Sequence, residues 1–250
     1  MALSRQVALF DPKIPLPEEM AWERKMTRTV IRLFTAGADR HFGYHYEPSS
    51  PRCVPLVIRT DLGRIEPAAG DHIVVYNVYH TVGTGSAEAL LNWASRRRIR
   101  VRAYGFPGVE RGNRGLVEFK APSRDGILND MASSRGVMTS AGLTTAIEAF
   151  LLQKPACVVP IPGQWEQYVN AFHMDRAGIA CWCRDWDYDR LFDLPTPAVD
   201  HPLANWLWTP VESVLDYVLN GQPLNRNRKN GRLPLPSAAV EEHRQRRIAV

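Results

Sequence analysis

Two short stretches place side chains able to do chemistry at the start of a helix. In "TSAGLTTAIEAFLLQKP" (139–155), Ser140 and Gly142 precede Thr144, and Glu148 follows one turn later. Small residues in such a turn let backbone N–H groups approach an anion, and a helix N-terminus favours negative charge. Glu148 is the only charge on a helix whose apolar stripe is Leu143, Ile147, Phe150 and Leu151. A carboxylate there is costly unless donors reach it, and two ribose hydroxyls would supply them. An exposed helix glutamate accounts for the spacing equally well.

The second stretch is "PIPGQWEQYVNA" (160–171), where two prolines and a glycine cut a strand and a helix opens at once. Glu166 and Gln167 lie in its first turn, and Asn170 shares the face of Glu166. Acid and amide groups at such a corner can grip several hydroxyls, as a sugar presents. The plainer account is a helix start favoured by an N-terminal acid, worth about 0.3–1 kcal/mol. A third turn, Gly83, Thr84, Gly85 and Ser86 in "YHTVGTGSAEALL" (79–91), reads as a phosphate loop or as an ordinary strand-to-helix turn. It lacks a Walker lysine and matches a dinucleotide fingerprint poorly.

These turns need a scaffold that presents helix starts on one edge. From Gly70 the chain alternates strand and helix signals, the mark of a parallel sheet. Strands are expected at 72–80, 100–106, 115–122, 136–141, 156–163 and 179–183, with helices near 86–97, 124–134, 143–153 and 165–177. The link "PGVERGNR" reads as a turn. The fold class is α/β, a doubly wound, Rossmann-like parallel sheet over 70–195, whose ligands belong beyond the carboxyl ends of the strands. Residues 1–69 form an N-terminal extension with a helix in "EEMAWERKMTRTVIRLFTAG" and short extended pieces. Residues 196–223 hold a proline-interrupted helix, and 224–250 a basic tail read as disordered.

Composition narrows the setting. At 250 residues, 45% hydrophobic and 23% charged, the chain suits one large domain or a medium domain with extensions. No apolar run reaches the ~20 residues of a membrane span, and no signal peptide is visible, so a cytoplasmic protein is expected. Cys181 and Cys183 alternate on one strand face; with Cys53 and Cys157 they read as buried, reduced thiols rather than a metal site or disulfide. The tail carries seven Lys/Arg against two Glu, which accounts for the whole net charge of +5. It reads as a solvated tail or as a weak contact with anionic membrane headgroups. "RRRIRVR" (96–102) has no aromatic platform, so nucleic acid is disfavoured as a partner; an edge strand guarded by charge is the expectation. His41, His45 and Glu47 share a strand face in "RHFGYHYE", a pattern read as packing rather than as a metal cage.

The stretch 136–180 resembles the nucleotide-sugar signature of GT-B glycosyltransferases, most closely the family-28 (MurG-like) C-terminal domain. The pattern is met in order by Gly142, Glu148, Lys154-Pro155, Pro160, Glu166-Gln167, Asn170 and Gly178. The resemblance implies a donor domain binding a UDP-sugar, with Ser140, Gly142 and Thr144 at the diphosphate and Glu148 at the ribose. It places Glu166 and Gln167 at the sugar and Gly83, Thr84 and Gly85 on the phosphate side. It implies no metal and no cofactor beyond the donor, and it names no catalytic base. Ser140 stands where the family often has His. Residues 1–69 are too few for a full acceptor domain, so a partner subunit supplying the acceptor half is expected, with transfer at the inner membrane face. A non-catalytic nucleotide-sugar-binding or interaction module is the alternative.

Overall fold

A computed structural model describes residues 2–4, 7–9, 11, 13–17, 21–34, 36–77, 79 and 83–224. The basic tail from 225 onward lies outside the described residues. The central sheet has seven strands: β4 (His72–Tyr76), β5 (Arg100–Tyr104), β6 (Gly112–Arg114), β7 (Val117–Lys120), β8 (Val137–Ser140), β9 (Ala156–Val159) and β10 (Cys181–Trp182). Their order is β10-β9-β8-β4-β5-β7-β6, and every pairing is parallel except β6 with β7. Without β6, this is the Rossmann order 3-2-1-4-5-6. Helices α2 (Ala87–Arg97), α3 (Arg124–Ala132), α4 (Leu143–Leu151) and α5 (Trp165–Arg176) connect the strands.

The strands are short and apolar because both sheet faces are covered. Val137 to Ser140 and Ala156 to Val159 are buried at every position. On one face Val74, Val137 and Val158 meet Ala146, Ile147 and Val169 of α4 and α5. On the other, Ile73, Val75, Met138 and Cys157 meet Leu90 and Trp93 of α2. The doubly wound sheet expected over 70–195 is therefore present, with strands ending one to four residues earlier than the sequence suggested, where loop backbone turns toward the helices.

Two local expectations are corrected. The turn "PGVERGNR" contains β6, which pairs antiparallel with β7 through Gly112–Phe119 and Arg114–Val117. That hairpin adds two strands outside β5, so β5 is interior and its arginines do not guard an edge. They are held by charge instead: Arg100 pairs with Asp71 at 3.2 Å. Arg102 joins Tyr104 and Lys120 around Asp130, which is 5% exposed. These three donors hold the Asp130 carboxyl below its ordinary range against the opposing effect of burial.

A smaller parallel sheet, β1 (Ala2–Ser4), β2 (His41–Tyr44) and β3 (Cys53–Val54), precedes the large one, as does helix α1 (Ala21–Phe34). Helices α6 (Pro202–Leu207) and α7 (Val211–Asn220) part at Pro210 and return to this small sheet. Val214 and Val218 cover Phe42 and Val54, and Trp206 Nε1 donates to the His45 carbonyl at 2.9 Å.

His45 does not join His41 and Glu47 in a cage. Its ring packs edge-on against His173 of α5, centroids 4.8 Å apart, and both histidines are buried. Burial, then His45 and Arg176, push His173 down to about 3; burial also lowers His45, against the backbone bond and charge of Glu47. A buried neutral histidine that protonates only on unfolding removes stability as pH falls from its unfolded value near 6.5 toward its folded one. Between pH 7 and pH 5, His173 alone should lower the unfolding free energy by about 2 kcal/mol. Denaturant unfolding at the two pH values reads this loss, and His173→Phe should remove most of the part due to that residue.

Candidate functional site

In a doubly wound sheet the strand order reverses at one place, here between β4 and β8, and loops beyond that point splay apart to leave a crevice. The three turns singled out by sequence follow β4, β8 and β9, so all lie on this edge. They differ in what their helix starts already bind.

Helix α2 is closed. Ser86 caps it, its hydroxyl accepting from Ala89 N at 3.1 Å. The turn before it is stitched down: Asn77, fully buried, donates through Nδ2 to the Gly85 carbonyl at 2.7 Å. Trp186 N donates to Thr84 Oγ1, and the Tyr188 hydroxyl donates to the Thr84 carbonyl. Gly83 sits at φ 65, a left-handed conformation that suits glycine, with open space around it. Gly83, Thr84 and Gly85 thus form a turn already held by the protein's own bonds.

Helix α4 is open. Gly142 stands at its N-cap with no side-chain capping bond, so the first N–H groups of the helix lack the partner that a Ser or Asp would give. A Cβ added at Gly142 would meet no protein atom within 4 Å, although its φ of −71° is one any residue adopts. The absent side chain leaves free space directly before the N–H groups. Ser140 is 6% exposed, and its Oγ has no hydrogen-bond partner among the described residues. An unpaired buried hydroxyl costs roughly 1–3 kcal/mol, a penalty that a ligand oxygen would relieve. Thr144 is exposed in the first turn.

Glu148 is half-buried, and burial raises its carboxyl, opposed by the charges of Arg59 and Arg124. Arg59 is itself fixed, donating to Asp61 and, at 2.8 Å, to Asp125. The Glu148 carboxylate therefore lies in a partly desolvated place near two guanidinium groups.

Helix α5 also lacks a side-chain cap at Gln164, yet its polar residues are engaged in structure. Gln167 Oε1 accepts from Ile161 N at 3.0 Å, and Gln167 Nε2 donates to Gln164 Oε1 at 3.1 Å, which pins the Pro160–Gln164 turn. Asn170 is 2% exposed and donates through Nδ2 to the Ala141 carbonyl at 2.9 Å, tying α5 to the turn before α4. Glu166 is half-buried; its charge, after burial, raises the fully buried Tyr46 phenol. The face expected to carry Glu166 and Asn170 to a sugar thus meets the N-terminal layer through Tyr46 and His45.

Trp165 lines a cavity of about 510 Å³ with Tyr168, Trp182, Arg184, Glu23 and Gly163. Tyr168 sits three residues on, at helical spacing, and Trp182 points to the strand face opposite the two cysteines, so both carried a local signal. Arg59 carried none, since its link to Glu148 spans 89 residues of chain. Ser140 ends β8, Gly142 stands at the N-cap of α4, and Thr144 and Glu148 lie in its first and second turns. Asn170 ties α5 to this segment through Ala141, while Gln167 bonds only the Pro160–Gln164 turn.

A family model described as glycosyl transferase family 1 matches residues 5–194. No curated protein matches the chain. Among solved structures it is similar to the glycosyltransferase SnogD from Streptomyces nogalater, at 16% identity over 68% of this chain and 53% of that one, with a TM-score of 0.41. It is also similar to the glycotransferase of kitacinnamycin, at 17% identity over 57% and 40% of the two chains, with a TM-score of 0.40. A spinosyn rhamnosyltransferase, SpnG, complexed with thymidine diphosphate matches at 16% identity over 63% and 44%, with a TM-score of 0.39. The chain spans about half the length of these proteins or less.

Asn170 is the joint between the two helix starts. Asn170→Ala should lower the unfolding free energy by about 1–3 kcal/mol, because the buried Ala141 carbonyl loses that donor. Chemical denaturation measures it, and an unchanged midpoint would show that the bond adds nothing.

Proposed function

Because the chain belongs to glycosyl transferase family 1, we propose that it binds a nucleoside diphosphate sugar, with UDP as the carrier, at the start of α4 and donates the sugar to an acceptor. The observation carrying this reading is the uncapped α4 N-terminus, with free space before Gly142, two residues after a buried Ser140 hydroxyl that has no partner among the described residues. A diphosphate there would accept from the first N–H groups of the helix and from Ser140 Oγ, with Thr144 in reach of the same turn. The helix dipole would stabilise the charge that grows on the diphosphate as the glycosidic bond breaks, a duty the reading gives to fixed donors rather than to a metal ion. The Glu148 carboxylate would accept from the ribose hydroxyls, and those donors would offset its desolvation. Glu166 would contact the sugar by a shift away from Tyr46, and Trp165 would flank it.

The likeness of 136–180 to the family-28 C-terminal domain belongs to this proposal, as does a partner subunit that brings the acceptor and its catalytic base. Residues 1–69 would then be the remnant of an acceptor domain. Contact of the basic tail with anionic headgroups would set the reaction at the cytoplasmic membrane face. Among the described residues no helix is long and apolar enough to cross a membrane.

Calorimetric titration with UDP and UDP-N-acetylglucosamine, with thymidine diphosphate to read base preference, tests the donor site. Saturable binding is expected, and no binding at millimolar ligand would refute the proposal. Glu148→Ala should weaken binding by about 1–3 kcal/mol. Gly142→Ala is the sharper probe: its new Cβ meets no protein atom, so stability should stay within about 0.5 kcal/mol while donor affinity drops at least tenfold. Binding without transfer to any lipid or protein acceptor would favour the non-catalytic module.

A further inference from the structure

The cysteines were expected to be buried, reduced thiols, and strand register gathers three of them. Cys181 on β10 lies directly opposite Cys157 on β9 in a parallel pairing. Cys183 follows Cys181 by two residues and shares its side of the chain. The three Sγ atoms lie within 4.8 Å of one another. They face the layer holding Trp186 and Leu191, across the sheet from α4.

We propose that Cys157, Cys181 and Cys183 form a three-thiolate site for a thiophilic d¹⁰ metal ion such as Zn²⁺, separate from the donor crevice. In a tetrahedral zinc site with Zn–S bonds near 2.3 Å, sulfurs sit about 3.8 Å apart, so contraction of the cluster by about an ångström completes the geometry. Soft thiolate ligands select zinc or copper(I) over magnesium, calcium or manganese. Existing bonds at these sulfurs are weak: Cys181 Sγ to the Trp182 carbonyl is 3.9 Å, and Cys183 Sγ to the Cys181 carbonyl is 4.0 Å. Three thiolates around Zn²⁺ leave one negative charge, and the Arg190 guanidinium, which lines the same cavity as Cys181, would offset it. An entry path exists as well. Cys181 opens on a cavity of about 270 Å³ shared with Asp175 and Arg190, where water would fill the fourth position. The ion would clamp the short edge strand β10 to β9.

The test uses the full chain, reduced and stripped of metal, titrated with Cd²⁺ and followed by thiolate-to-cadmium charge-transfer absorption. Zn²⁺ is then measured against a chromophoric chelator. One equivalent of Cd²⁺ should saturate the band and Zn²⁺ should displace it. Cys181→Ser, at a half-exposed position that tolerates the change, should cut Zn²⁺ affinity by more than the roughly 10–100-fold that loss of an outer-shell partner costs. Cys53→Ser, at a thiol held 3.6 Å from Ser50 Oγ in the small sheet, should leave affinity unchanged. A wild-type chain with no one-to-one cadmium band, or a band undiminished in Cys181→Ser, would overturn the proposal.

Discussion

The reversal of strand order between β4 and β8 is the constraint on which everything else rests. Parallel strands need crossovers on the sheet faces, and right-handed crossovers in opposite directions leave loops that diverge above the reversal. Because β8 and β9 are neighbours in register, Ser140 beside Val159, the starts of α4 and α5 emerge next to each other. The Asn170–Ala141 bond then fixes their spacing. A slip of one residue along β8 would turn Ser140 to the other face and bury a different set of side chains.

On that scaffold, helix starts divide by chemistry. Ser86 and Ser123 close α2 and α3 with their own hydroxyls. Gly142 and Gln164 leave α4 and α5 without a side-chain cap. A capping bond is worth about 1 kcal/mol, so an uncapped helix beside a buried, unpaired serine and a partly desolvated glutamate is a local concession of stability. Such concessions mark places where a ligand completes the structure. The same comparison separates α4 from α5: both starts lack a side-chain cap, but the amides of Gln167 and Asn170 are already bonded within the protein, whereas Ser140 and Glu148 keep free capacity among the described residues.

Local pattern carried much of this into the sequence. Strand and helix placement followed from apolar runs and glycine-marked turns, and helical spacing sets Glu148 one turn after Thr144 on the helix that Gly142 opens. What sequence could not carry was pairing across distance. The β6 hairpin converted an expected edge into an interior strand, which moved the arginines of β5 into ion pairs with Asp71 and Asp130. Polar residues at a helix start read alike whether they face ligand or loop; only the positions of the Ile161 N–H and the Ala141 carbonyl separate Gln167 and Asn170 from Ser140. The arginine beside Glu148 and the meeting of Cys157 with Cys181 depend on register, which no local window contains.

The central claim is that the open α4 start, rather than the capped α2 start, holds the donor diphosphate. Hydrogen exchange of backbone amides with and without saturating UDP-sugar tests it most directly. The account predicts strong added protection for the amides of residues 142–146, weaker protection around 163–167, and little change at 86–90. Protection centred on 86–90 with 142–146 unchanged would contradict it.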